Sequence, residues 1–264
     1  MPVVALLTDF GTRDHYVGAM KGVILGICPE AALVDITHEI PPQDLLAASF
    51  ELAACYRSFP AGSVFVVVVD PGVGSSRRAL AAEAAGYRFV APDNGVLTGV
   101  FDEAAPSAVV ELTERRYALA SISRTFEGRD RLAPAAAWLA AGTALAALGP
   151  PVADYRLLDV PRPAVGESGI DGEVVRIDRF GNLITNISGR ILAKLPHPER
   201  ARIEVGPNEV VVPLLATYAD AKAGEICALV GSTDHLEVAL SGGSAADTLR
   251  LSRRARVVVR PGLD

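Results

Sequence analysis

The run Val64-Phe65-Val66-Val67-Val68-Val69, followed directly by Asp70-Pro71-Gly72-Val73-Gly74-Ser75-Ser76-Arg77, decides the fold. Six consecutive apolar residues, mostly β-branched, fit a strand buried on both faces, as in a parallel α/β sheet. Asp70 then falls at the strand's C-terminal end, the edge on which open α/β sheets place their ligands. Pro71, Gly72 and Gly74 force a tight turn that can carry Arg77 back towards the carboxylate. The loop is not a Walker loop, because no Gly-Lys-Ser/Thr follows. Nor is it the dinucleotide fingerprint, because Arg77 stands where that motif needs a packing glycine. An acid and an arginine poised at a sheet edge read either as a reaction site or as an ion pair closing a turn.

Outward from this loop, the first 150 residues alternate strand and helix signals. Residues 3–7 read as a strand. Over 14–28, Tyr16, Val17, Met20, Val23, Ile24 and Ile27 recur at helical spacing, and Pro29 stops the helix. A second strand follows at 32–36, then a helix opened by Pro41-Pro42. Beyond the central strand come a hairpin across Gly86 (80–84 with 88–91), a short helix from Asn94, a strand at 108–112 and an alanine-rich helix starting at Pro134. This order implies α/β architecture, a mostly parallel sheet flanked by helices. After Pro150-Pro151 the texture changes. Pro161, Pro163, Gly166 and Gly169 mark a linker over 151–168, and short strands then dominate 169–264, at 172–177, 183–187, 202–205, 209–215, 226–230, 236–240 and 255–260. Such spacing makes a smaller C-terminal β-barrel or sandwich. The expected organisation is an α/β domain over 1–150, the linker, and a β domain over 169–264.

Of the 264 residues, half are hydrophobic and a fifth charged, enough for a sizeable core. A formal charge of −6 and a pI near 5.3 argue against nucleic acid as a partner. Cys28, Cys55 and Cys227 are odd in number and far apart, without metal-ligand spacing, and suit a reducing cytoplasm. The start, Met1-Pro2-Val3-Val4-Ala5-Leu6-Leu7-Thr8-Asp9, reads as a strand rather than a signal peptide. Residues 132–153 carry no charge, but alanines broken by prolines and glycines are too weakly hydrophobic for a membrane span. No membrane partner is expected.

Four segments of the first domain end in polar, glycine-containing turns: Thr8-Asp9-Phe10-Gly11-Thr12, the 70–77 loop, Pro92-Asp93-Asn94-Gly95, and Thr125-Phe126-Glu127-Gly128-Arg129-Asp130. Each acid alone is commonly a cap or turn former. Should the turns share one sheet edge, Asp9, Asp70 and Glu127 converge on one crevice. Asp9, Asp70, Asp93 and Glu127 would alternatively supply oxygen ligands for a hard cation. In the second domain, Ile177-Asp178-Arg179-Phe180-Gly181-Asn182 sets an Asp and an Asn around an aromatic. That set suits a planar heterocycle, with Phe180 stacking and Asn182 pairing, and equally suits an Asp-capped turn.

These stretches, taken in order with Asp178-Arg179-Phe180-Gly181-Asn182-Leu183-Ile184-Thr185-Asn186 and Gly231-Ser232-Thr233, resemble the S-adenosyl-L-methionine hydroxide adenosyltransferases, relatives of the fluorinase and chlorinase enzymes. The resemblance covers nearly the whole chain. It implies a homotrimer, with active sites between the N-terminal domain of one subunit and the C-terminal domain of the next. It also implies attack of a nucleophile on C5′ of S-adenosyl-L-methionine with loss of L-methionine. No metal or cofactor is implied beyond that substrate. Asp9 matches the carboxylate that holds the ribose hydroxyls, and a vicinal diol can give two hydrogen bonds to one carboxylate. Asn182, Ser232 and Asp178 match positions contacting adenosine and methionine parts of the ligand, and Glu237 is a further expected contact.

The branch within the family turns on position 70. A tyrosine there belongs to the fluorinase pattern, whereas Asp70 with Arg77 resembles the water-using branch, in which a carboxylate repels halide and orients water. One departure stands out: the water-using pattern Thr-Phe-His-Gly-Arg-Asp has Glu127 at its histidine. Glu127 either takes over as the base or impairs the site, leaving a protein that only binds its ligand. The expectation is hydrolysis to adenosine and L-methionine by Asp70, Arg77 and Glu127. The alternatives are a non-catalytic sensor and a halogenase.

Overall fold

The computed structural model describes residues 1–262 and divides the chain into two compact units, Met1–Asp159 and a second beginning at Val160. In chain order the first holds β1 (Val3–Thr8), α1 (Tyr16–Ile27), β2 (Ala32–Thr37), α2 (Leu45–Cys55), β3 (Val64–Val68), β4 (Ala79–Ala84), β5 (Tyr87–Pro92), α3 (Thr98–Glu103), β6 (Ala108–Glu111) and α4 (Ala133–Ala140). The valine run is continuous because both faces of β3 are covered. Val64, Val66 and Val68 pack with Met20 and Ile24 of α1 and Ala136 of α4. Phe65, Val67 and the following Val69 pack with Ala48 and Leu52 of α2 and Val100 of α3. With strand side chains alternating between faces, neither side leaves a polar position.

The sheet order is β2-β1-β3-β5-β4-β6. β1 pairs in parallel with β2 and β3, and β3 with β5, while β4 runs antiparallel to both β5 and β6. Only β4 therefore opposes the rest, and the sheet is mostly parallel. From β1 the chain first builds outward to β2 and then returns to lay β3 on the other side. The crevice at the C-terminal ends of β1 and β3 is thus a topological switch point. Register sharpens this: Thr8 pairs with Val68, so Asp9 and Asp70 leave the sheet side by side.

Several boundaries differ locally from the sequence reading. The helix announced by Pro41-Pro42 starts at Leu45, because Asp44 is its cap and accepts from Ala47 N at 3.0 Å. The short helix begins at Thr98, since Asn94 is spent on the turn: its Nδ2 donates to Val69 O at 2.9 Å and its Oδ1 accepts from Val96 N. α4 is preceded by one π-helical turn, Gly128–Leu132. No helix among the described residues is long and apolar enough to cross a membrane.

The second unit holds β7 (Ala164–Gly166), β8 (Gly169–Ile177), β9 (Leu183–Ser188), α5 (Gly189–Leu192), β10 (Arg202–Val205), β11 (Val210–Val212), β12 (Ile226–Val230), β13 (His235–Leu240), α6 (Ala245–Leu249) and β14 (Arg256–Arg260). Its sheet runs β11-β10-β14-β8-β9-β13-β12, and each of these neighbours is antiparallel. A bridge between Leu214 and Ala228 brings the segment after β11 beside β12, so the sheet nearly closes as a barrel. Ile170, Val174, Leu183, Ile203, Val238 and Val257 fill it. Within 151–168, Arg156 N and Leu158 N donate to Asp93 and Thr98 of the first unit, whereas 164–166 forms the strand β7 on β8.

Candidate active site

The C-terminal edge of β1 and β3 opens into a cleft of about 370 Å³ lined by Asp9, Phe10, Tyr16, Asp70, Phe126 and Glu127, among others. Arg77 stands behind this lining and ties two of its acids together. Its Nε donates to Asp70 Oδ1 at 2.8 Å, its Nη2 donates to Asp70 Oδ2, and Nη2 also donates to Glu127 Oε2 at 3.2 Å. Its Nη1 donates to the Arg78 carbonyl at 3.0 Å. The three side chains are nearly buried, 6% exposed for Asp70 and Arg77 and 10% for Glu127. A bidentate guanidinium–carboxylate pair fixes distance and plane together, so Asp70 is held rigidly. Gly72 N adds a third bond to Asp70 Oδ1 at 3.1 Å. Glu127 is held more loosely: Arg131 Nη1 is 3.9 Å from the same Oε2, and among the described residues no hydrogen bond falls on Oε1.

Two loops meet to build this cluster. Gly74 has φ +77°, and a Cβ there would lie 2.3 Å from the Arg124 carbonyl, so only glycine lets the 70–77 loop rest on the 123–127 loop. On the other side Phe126 is buried edge-on against Phe10 and Tyr16, at 5.9 and 5.1 Å between ring centroids. Asp130, fully buried in the π turn, accepts from Ser123 N at 2.7 Å and from Arg129 Nε at 2.6 Å, which ties down the segment that carries Glu127. Asp9 Oδ2 accepts from Gln43 N at 2.8 Å. Sequence reasoning missed Gln43, Tyr16 and Asp130. Asp130 lay inside a quoted motif, but only its burial marks it as structural.

Asp93 stands elsewhere. Its Oδ2 accepts from Arg78 Nε at 2.8 Å and its Oδ1 from Arg156 N at 2.8 Å, so it fastens the 152–158 segment and lines no part of the cleft. The four acids weighed as hard-cation ligands are therefore not gathered. Among the described residues no group of three or more His, Cys, Asp or Glu is placed to hold a metal.

In the second unit, a pocket of about 680 Å³ is lined by Asp178, Phe180, Asn182, Tyr218, Ser232 and Glu237, with Arg176 on its wall. Asp178 shapes the β8–β9 turn: Oδ1 accepts from Phe180 N and Asn182 N, and Oδ2 accepts from Asn182 Nδ2, each at 2.9 Å. That turn presents the Phe180 ring 76% exposed, a large apolar cost for a monomeric surface unless something stacks on it. Glu237 is buried and accepts from the Tyr218 hydroxyl. Burial pushes its carboxyl above the usual range; the Tyr218 bond works against this and nearby Asp178 adds to it. The Ser232 turn rests directly on this acid, for a Cβ on Gly231 would lie 2.4 Å from Glu237 Oε2. Tyr218 carried no sequence signal, since it enters from a loop remote from β13.

An acid–guanidinium cluster at the switch point of an α/β unit, followed by a barrel with a polar, aromatic-rimmed pocket, defines a two-part ligand-transforming protein. The particular family follows from comparison. Residues 4–149 match the model of the SAM hydroxide adenosyltransferase N-terminal domain and residues 172–258 that of its C-terminal domain, so the chain belongs to this family. It is similar to an (R)-S-adenosyl-L-methionine hydrolase of Salinispora tropica, 39% identical over 99% of this chain and 98% of the relative. The (R)-S-adenosyl-L-methionine hydrolase of Thermus thermophilus is 38% identical over 95% and 96%. A crystal structure of an uncharacterized conserved protein from Thermotoga maritima superposes with a TM-score of 0.92 at 36% identity, covering 97% of this chain and 99% of that one.

Proposed function

We propose that this protein is an enzyme that hydrolyses S-adenosyl-L-methionine to adenosine and L-methionine by attack of water at C5′. The observation that carries the reading is the Asp70–Arg77–Glu127 cluster in the cleft that also holds Asp9, in a chain of this family. The sulfonium is already a good leaving group. What the protein must supply is an in-line water, a site poor in solvent and a fixed ribose. As the water oxygen bonds to C5′, the C5′–S bond breaks in a single displacement and sulfur keeps the electron pair. The water proton passes to the cluster and then to solvent.

The two carboxylates divide the work. Asp70 accepts three bonds from Arg77 and Gly72 N and keeps one acceptor site, so it orients the arginine and the water. Glu127 takes one longer bond and keeps Oε1 for a proton, which makes it the general base. Asp9 holds the ribose diol. Phe180, Asn182, Asp178, Ser232 and Glu237 receive the adenosine and methionine parts of a ligand, and this division suits a homotrimer in which neighbouring subunits complete each other's sites. No metal or cofactor is needed, because no poor leaving group has to be activated. The proposed compartment is the cytoplasm, on the cysteine pattern.

Asp9, Asp70 and Glu127 outnumber the Arg77 and Arg131 guanidinia beside them, which leaves the cleft net negative. Like charges 4 Å apart cost roughly 4 kcal/mol at an effective dielectric near 20, which disfavours halide as nucleophile. The test is incubation of the pure protein with S-adenosyl-L-methionine, with and without chloride, followed by identification of the nucleoside. Adenosine in both arms is expected, and 5′-chloroadenosine as main product would overturn the water-using reading. A second reading, a sensor that binds without turnover, is motivated by Glu127 in place of histidine; binding with no product would favour it.

A further inference from the structure

His38 is 5% exposed, lies outside the cleft lining and has no part in the chemistry above. Register puts it at the root of the site. Leu7 of β1 pairs with Thr37 of β2, so Thr8 and His38 leave the sheet together just before Asp9. His38 Nδ1 is 2.9 Å from Thr8 Oγ1, and that oxygen also accepts from Phe10 N at 3.2 Å. The His38 carbonyl accepts from Gly11 N at 2.7 Å. The short arch carrying Asp9 is therefore fastened at both feet to one residue. The same connection continues to Gln43, whose N–H donates to the Asp9 carboxylate and whose φ of +67° is uncommon for a residue with a side chain.

The ring's second nitrogen faces an acid. Nε2 lies 3.0 Å from Asp35 Oδ1, whose other oxygen accepts from Lys21 Nζ at 2.7 Å. Asp35 is ionised: burial opposes its charge, but the bonds from Lys21 and His38 outweigh it and hold the carboxyl below its usual range. The buried ring is thus flanked on its Nε2 side by the Asp35 carboxylate, at ion-pair distance, and on its Nδ1 side by the Thr8 hydroxyl. The Thr8 hydroxyl shares a hydrogen bond with Nδ1 while accepting from Phe10 N–H.

We propose that His38 is a positioning residue for Asp9, setting the place of the carboxylate that receives a vicinal diol through its bond to Thr8 and its hold on Gly11. The inference rests on the reading of Asp9 as the diol clamp. Losing the Nδ1 contact leaves a buried hydroxyl without its ring partner and frees one foot of the arch. Displacement well below 1 Å is enough to spoil a two-bond contact.

The test is binding of adenosine and 2′-deoxyadenosine to the full-length protein by calorimetry, with wild type, His38→Asn, His38→Gln and Thr8→Val. Wild type is expected to bind adenosine about tenfold or more tightly than 2′-deoxyadenosine, as for a hydrogen bond to a charged group. Asparagine places its amide near the Nδ1 position and should keep most of that ratio. Glutamine reaches towards Asp35 instead and should lose it, and Thr8→Val should reproduce the loss from the other side. With S-adenosyl-L-methionine, His38→Gln should raise KM with kcat within about threefold, as for lost binding shared by ground and transition states. Should His38→Gln and Thr8→Val keep the wild-type ratio, or lose affinity for both nucleosides equally, the proposal is overturned. A wild-type protein that does not discriminate at all would instead overturn the diol reading of Asp9, and the proposal with it.

Discussion

The cleft of the first unit and the pocket of the second are both polar, yet they are built in opposite ways. In the cleft the charges are nearly buried and satisfied by one another: Asp70, Arg77 and Glu127 form one hydrogen-bonded group. In the pocket Phe180 is left bare and Ser232 exposed on its turn, above a floor that includes buried Asn182 and Glu237. A preorganised charged cluster costs no reorganisation when charge moves, which is the property a reacting centre needs. An exposed ring over a polar pocket gains only when a partner stacks on it. On the proposed reading, the first unit carries the chemistry and the hold on the ribose, and the second receives the rest of the ligand.

The largest effects should come from the cleft and fall on turnover. Glu127→Gln and Asp70→Asn keep shape but remove a proton acceptor or the anchor of Arg77, and each should lower kcat by about 10²–10⁴-fold. Equilibrium binding of S-adenosyl-L-methionine should change by no more than about threefold. A nearly silent Glu127→Gln would break the division between the two carboxylates. Smaller effects should come from the pocket and fall on KM. Phe180→Ala and Asn182→Ala should each raise KM by about tenfold with kcat nearly unchanged, the worth of one stacking or polar contact. Because Phe180 is so exposed, its removal should leave the melting temperature where it was.

The smallest expected effect is on stability and its pH dependence. Glu237 has its carboxyl raised chiefly by burial, so the fold binds its proton better than the unfolded chain does. Its stabilising share is full below the ordinary carboxylate range and is lost as pH rises through the raised value. Glu237→Gln escapes that loss while its amide oxygen still accepts from Tyr218. The variant should therefore melt about 2–4 °C above wild type near pH 7, with the gain vanishing near pH 4. A gain that grew towards low pH instead would reverse the sign and contradict the burial of this acid.

Much of the first unit was legible because its signals are local. The valine run fits a doubly covered strand and the turn after it can fold back, so the pairing of Asp70 with Arg77 lay within one short loop. Glu127 was legible only on condition that two distant turns share an edge; strand order decides that, and order is not written in any one segment. Asp93 shows the limit. Its motif looks like the other acidic turns, yet its oxygens are consumed by Arg78 and Arg156 N, partners that periodicity cannot name. Tyr218 and His38 carried no pattern at all. Their roles arise from registers and loops that bring single residues against Glu237 and Thr8.

The origin of the oxygen on C5′ tests the central claim most directly. The pure protein should be incubated with S-adenosyl-L-methionine in ¹⁸O-labelled water, in buffer containing chloride, and the nucleoside analysed by mass spectrometry. Direct displacement by water predicts adenosine carrying one ¹⁸O at the 5′ position, with L-methionine released in equal amount. Unlabelled adenosine, a 5′-halogenated nucleoside, or binding with no nucleoside formed would each contradict it.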